Sequence, residues 1–124
     1  MLQRRALSDR VIGLAIEVHR QVGPGLLESV YAECLGLELA DAGIPFQRQV
    51  MVPVVYKGVT IPIGFRADLL VDDAIIVEIK AVPALVAAHG AQLLTYLRMS
   101  GIRIGLLMNF HAPRLKDGLR RVIV

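Results

Sequence analysis

With 124 residues, 55% of them hydrophobic, the chain has the size of one domain and too much apolar surface for a polar tail or a disordered region. A net charge of +3 excludes the dense cationic surface of a histone-like binder and permits a nucleic-acid partner without requiring one. The most apolar region, 74–97, is broken by Glu78, Lys80, His89 and Gln92, so no membrane span is expected; Met1-Leu2-Gln3-Arg4-Arg5 leads into no apolar run, so no signal peptide is expected either.

In chain order, Ser8 or Asp9 can cap a first helix, along which Ile12, Ala15, Ile16 and His19 share one face. Gly23-Pro24-Gly25 stops it. A second helix is expected from Leu26 to Ala42, striped by Leu27, Val30, Tyr31, Cys34, Leu35 and Leu39, with Gly43 in the left-handed position after it. Strands follow at Phe46–Tyr56 and Val59–Val71 around Lys57-Gly58, then at Ala74–Ala81 after Asp72-Asp73. Pro83 suits the first turn of a third helix that runs to Met99 and ends at Gly101. Arg103–Asn109 is a further strand, and the tail from Pro113 fits either a short helix or an edge strand. The order α-α-β-β-β-α-β predicts an α/β fold with a mixed sheet flanked by helices, in one domain over 1–124. The lone Cys34 excludes an internal disulfide, reads as a core filler and makes a cytoplasmic location the expectation. The high apolar fraction predicts a homodimer that covers the excess surface.

The third strand carries an anomaly. Glu78 and Lys80 interrupt the apolar run 74–82 and point to one face, while Val77, Ile79 and Ala81 point to the other. A buried carboxylate needs compensation. Asp68, in the preceding strand, lies near Val77 or Glu78 across the Asp72-Asp73 turn. A three-residue loop or a bulge there would place it directly opposite Glu78. Two acids that close repel each other unless a cation separates them, and oxygen ligands suit Mg²⁺ or Mn²⁺. Arg66 shares the face of Asp68 on strict alternation, where it either holds a phosphate or forms a structural ion pair. Phosphate-loop and serine-elbow motifs are absent, and His89 and His111 lack zinc-ligand spacing.

Asp68, nine intervening residues and Glu78-Ile79-Lys80 resemble the PD-(D/E)XK nuclease signature. Gly25-Leu26-Leu27-Glu28-Ser29-Val30-Tyr31 resembles the pattern that names the GxxExxY proteins, a bacterial branch of that superfamily. The runs 16–25, Gly64-Phe65-Arg66-Ala67-Asp68, 91–97 and Asn109-Phe110 are similar to the same branch. The similarity spans residues 8–122. Gly90, where an acid is common, and His111, where glycine is common, depart from it.

The resemblance implies a restriction-endonuclease-like core that cleaves nucleic acid, DNA by preference, with Mg²⁺ or Mn²⁺. It implies that Asp68, Glu78 and the Ile79 carbonyl hold the metal and that Lys80 assists the attacking water. Glu28 would complete the metal site, whereas without the resemblance its place at a helix start is explained by the helix dipole. Gln92 and Tyr96, four apart on one helix face, are similar to the Q-x-x-x-Y element of RecB-like members and would contact nucleic acid or the metal surroundings; alternatively, they are a surface residue and a packed aromatic. His19 is either a satisfied core histidine or a residue that supports the site.

Overall fold

The computed structural model describes residues 2–124. The elements are α1 (Leu2–Val22), α2 (Glu28–Asp41), β1 (Phe46–Tyr56), β2 (Val59–Val71), β3 (Ile75–Lys80), α3 (Ala87–Ser100), β4 (Ile104–Asn109), a 3₁₀ turn (Leu115–Gly118) and β5 (Leu119–Ile123). The strands form one sheet in the order β1-β2-β3-β4-β5. Only β3 and β4 are parallel, because α3 carries the chain across between them; the other neighbours are antiparallel. This is the mixed sheet flanked by helices that the element order predicts.

Helices cover both faces. On one, Val11, Ala15, Leu35 and Leu39 of α1 and α2 pack with Val77, Ile79, Leu106 and Met108. On the other, Leu93 and Leu97 of α3 pack with Ile76, Leu107, Phe65 and Ala67. Central strands covered on both faces read as continuous apolar runs, and every residue of β4 is buried. No helix among the described residues is long and apolar enough to cross a membrane.

Three local expectations shift, and one left open is resolved. The first helix starts at Leu2, not at Ser8 or Asp9. Ser8 is buried inside it, donates to the Arg5 carbonyl at 2.8 Å and accepts from Arg121 at 2.9 Å. Asp9 pairs with the same Arg121 at 2.6 Å, so both residues pin β5 to α1 instead of capping a helix. The second helix starts at Glu28, two residues later than expected. The third starts at Ala87, so Pro83 lies in the loop before it. The tail forms both structures that were open, a 3₁₀ turn followed by an edge strand. Gly43 does take the left-handed conformation after α2, with φ 71°.

Before Leu69, toward the Lys57-Gly58 turn, the β1–β2 hairpin is a two-stranded ribbon that β3 does not pair with. Gly64 is essential to it: a Cβ there would lie 1.8 Å from the Val52 carbonyl oxygen, beside the register shift at Pro53/Val54. Both faces of the ribbon expose apolar side chains, among them Met51, Val55, Val59 and Ile63.

Candidate active site

The β2–β3 turn decides the site. Val71 pairs with Ile75, which leaves a three-residue loop of Asp72, Asp73 and Ala74. Asp72 and Asp73 both adopt positive φ, a conformation that aspartate tolerates better than most residues. The pairing continues through Leu70/Ile76 and ends at Leu69/Val77. The next step of that register sets Asp68 against Glu78. There the ladder opens, and the Asp68 side chain takes the place of a backbone acceptor: the Ile79 N–H donates to Asp68 Oδ2 at 2.7 Å.

A second irregularity aims Asp68. Phe65 and Ala67 pack on the α3 side of the sheet, whereas Leu69 and Val71 pack on the α1/α2 side. On β1, Phe46 belongs to the α1/α2 side, and Val50 and Val52 belong to the α3 side. Both strands therefore change facing at one level, where Gln49 has φ 54° and Gln49 and Asp68 are missing between the Arg48/Leu69 and Val50/Ala67 pairs. Strict alternation fails at Asp68, so the expectation that Arg66 shares its face does not carry over. Arg66 is exposed opposite Met51 and forms no ion pair among the described residues.

Glu78 follows Ile76 on the α3 side of β3 and is 7% exposed. Burial, followed by the Asp68 carboxylate, pushes its pKa up from 4.5 to about 8; Lys80 opposes the rise. Glu78 Oε1 is buried and has no hydrogen-bond partner. A buried carboxylate oxygen without a donor, beside a second carboxylate, fits a hard divalent cation. Two carboxylates on adjacent strands, Asp68 and Glu78, are brought together here. Lys80 is half-buried at the end of β3, on the face of Glu78.

Helix α3 supplies the neighbours of the acids. Tyr96 is half-buried, and its ring stacks on Phe65 at 3.7 Å between centroids and 1° between planes. Burial first, then the Glu78 charge, raises its pKa, and a hydrogen bond with Gln92 lowers it. Gln92 and Tyr96 thus stand together beside the acids, with Gln92 exposed. Glu28 is the first residue of α2 and is exposed. Among the described residues no three His, Cys, Asp or Glu side chains are grouped closely enough to hold a metal ion, so Glu28 is not gathered with Asp68 and Glu78. His19 is buried, donates from Nε2–H to the Ala112 carbonyl at 2.8 Å and lies 6.2 Å from the Phe110 ring.

Two supporting residues carry no role in the sequence reading. Asn109 is buried at the end of β4, beside Lys80 in the parallel ladder. Its side chain accepts from Val82 N at 3.1 Å and His111 N at 3.2 Å and donates to the Val82 carbonyl at 2.9 Å, which fixes the chain leaving β3. A polar residue closing a fully apolar strand was the available signal. Tyr31 stacks on Phe110 at 4.4 Å, and its hydroxyl donates to the Gly23 carbonyl at 2.6 Å and accepts from Leu26 N at 3.1 Å. It therefore sets the turn that delivers Glu28.

A family model of the PD-(D/E)XK nuclease superfamily matches residues 5–122. The chain belongs to the PD-(D/E)XK nuclease superfamily. Comparison with curated proteins and with solved structures gives no match. Members of the superfamily generally use divalent metals, and membership points to a nucleic-acid substrate.

Proposed function

We propose that this PD-(D/E)XK protein, of the GxxExxY branch, is a metal-dependent nuclease that hydrolyses phosphodiester bonds in DNA. The observation that carries the reading is the buried, partnerless Oε1 of Glu78 next to Asp68. Asp68, Glu78 and the Ile79 backbone carbonyl would hold Mg²⁺ or Mn²⁺, with Glu28 joining once substrate is bound. The ion would supply Lewis-acid stabilisation of charge on the phosphate oxygens and acidify water. One Asp68 oxygen accepts from the Ile79 N–H, which fixes its carboxylate plane. Lys80 orients the attacking water and offsets negative charge on the phosphate. Gln92 and the ring of Tyr96, on α3 beside the acids, contact the strand being cut. Arg66 and His19 act outside this centre, Arg66 as an exposed phosphate contact. The exposed apolar ribbon supports a homodimer, and the unpaired Cys34 supports a cytoplasmic setting.

Calorimetric titration of Mg²⁺ and Mn²⁺, beside single- and double-stranded DNA and RNA cleavage assays, tests this. Asp68→Asn keeps an acceptor for Ile79 N–H, so the fold should stand while cleavage falls by at least about 100-fold. Unchanged cleavage in that variant refutes the assignment. The exposed position of Glu28, away from the two acids, favours a second reading, a nucleic-acid-binding module without chemistry. Its signature is salt-sensitive binding that ignores metal, with no cleavage.

A further inference from the structure

We propose that the groove between the end of α1 and the segment after β4 is a nucleotide subsite, with a phosphate on its cationic lining and a flat ring on its apolar lining. The inference rests on the nuclease reading and names a contact for its substrate. The groove holds about 430 Å³, within the ~300–1,000 Å³ span of small-molecule sites. Its apolar lining is Ile16, Pro24, Pro113 and Leu115, and its cationic lining is Arg20, Arg114 and Lys116. No acidic residue lines it among the described residues.

The charge argues for an anion. Arg20 pairs with Glu17 at 3.1 Å and Arg114 with Asp117 at 3.0 Å, each within its own segment. Exposed pairs of this kind are worth little in water, so either guanidinium can turn to a phosphate, whose geometry its fork matches. Lys116 has no carboxylate partner among the described residues. The cationic lining thus keeps positive charge that a phosphate would neutralise. The apolar lining argues against a bare anion, because two proline rings, an isoleucine and a leucine offer apolar surface for a base and no polar partner.

The walls are fixed before any ligand arrives. His19, on the wall, donates to the Ala112 carbonyl and so ties α1 to the segment that carries Pro113 and Arg114. The groove opens on the α1 side of the sheet, opposite the face of Glu78, and the segment that walls it starts beside the end of the strand that carries Glu78. Phe110 N donates to the Lys80 carbonyl at 2.9 Å, so this segment departs from beside the end of β3. Ligands of α/β sheets sit beyond the carboxyl ends of parallel strands, and β3 and β4 both end here.

The test is titration of thymidine 5′-monophosphate into the full chain in EDTA, with thymidine and inorganic phosphate as separate probes. The monophosphate should bind at least about tenfold tighter than either half. The double variant Arg114→Ala with Lys116→Ala should weaken it about tenfold or more, and the His19 ring resonances should shift on binding to the wild type. Inorganic phosphate binding as tightly as the nucleotide, an unaffected double variant, or no binding would each overturn the subsite. The metal-free design separates it from the reading it rests on. Metal uptake at Asp68 and Glu78 without nucleotide binding sinks the subsite alone. Nucleotide binding retained in Asp68→Asn, with no metal uptake by the wild type, supports the subsite while the nuclease reading fails.

Discussion

Glu78→Gln should make the protein more stable at high pH and leave it almost unchanged in acid. In the unfolded chain Glu78 titrates at its ordinary 4.5; in the fold, burial and the Asp68 charge push it up to about 8. The folded state therefore prefers the protonated form. The stability this confers is complete below pH 4.5, drains away as pH rises and is gone above about 8. At ~1.4 kcal/mol per pH unit, that window corresponds to roughly 5 kcal/mol, an upper figure because water and side chains relax around the charge. Glutamine keeps the shape of protonated glutamate and never ionises. In EDTA, urea unfolding should then show a gain of about 2–5 kcal/mol for the variant at pH 9 and under about 1 kcal/mol at pH 4.

The metal arm reverses the order. A cation between the acids relieves the charge that the fold tolerates poorly, so Mg²⁺ at a hundredfold excess over its Kd should stabilise the wild type by about 2.7 kcal/mol and the variant by much less. A stability difference that does not change between pH 4 and pH 9 would refute the account of Glu78 as a buried, charge-frustrated carboxylate. Equal stabilisation of both proteins by Mg²⁺ would place the ion elsewhere.

Substitutions at three further positions probe what holds the site in place. Tyr31→Phe removes the hydroxyl that binds Gly23 and Leu26, and should cost about 1–3 kcal/mol in urea unfolding; a neutral result would mean the turn is held by packing alone. Gly64→Val places a side chain where the Val52 carbonyl lies 1.8 Å from the Cβ position, and should cost about 2–4 kcal/mol; an unchanged midpoint would contradict the close approach of β1 and β2. Gln49 has φ 54°, so Gln49→Gly should be near neutral and Gln49→Val should cost about 1–2 kcal/mol, with cleavage falling alongside because the Asp68 level is disturbed. Equal stability of the two variants would show that the left-handed conformation is not needed there.

The charged residues on β3 were legible because they violate the chemistry of their surroundings. A buried strand has no use for Glu78 and Lys80, so their position in an apolar run points to a site without any structure. The elements were legible for related reasons: glycine and proline mark the stops, and the apolar periods separate helix from strand. Helix starts were not. Ser8 and Asp9 look like caps because serine and aspartate usually are, but here a partner distant in sequence, Arg121 on β5, takes both. Only the folded chain brings the two ends together.

The position of Asp68 was legible in part, and the remainder shows how the fold builds its site. The sequence shows that Asp68 and Glu78 become neighbours if the turn has three residues; Asp72 and Asp73 supply that turn by accepting positive φ. It does not show that β1 and β2 change facing together at Gln49 and Asp68, because a period of two cannot reveal a paired defect that restores alternation on both sides. That defect is what lets one ribbon serve two ends. After Asp68, Leu69 and Val71 belong to the α1/α2 core, and before it Phe65 can turn to α3 and carry Tyr96. A regular strand would have to choose one face for Phe65, Ala67, Leu69 and Val71. At the change of facing the ladder opens, so a side chain instead of a carbonyl receives the Ile79 N–H. The lost backbone pairing and the gained carboxylate are therefore one feature: the gap in the sheet is what allows an acid to be held there.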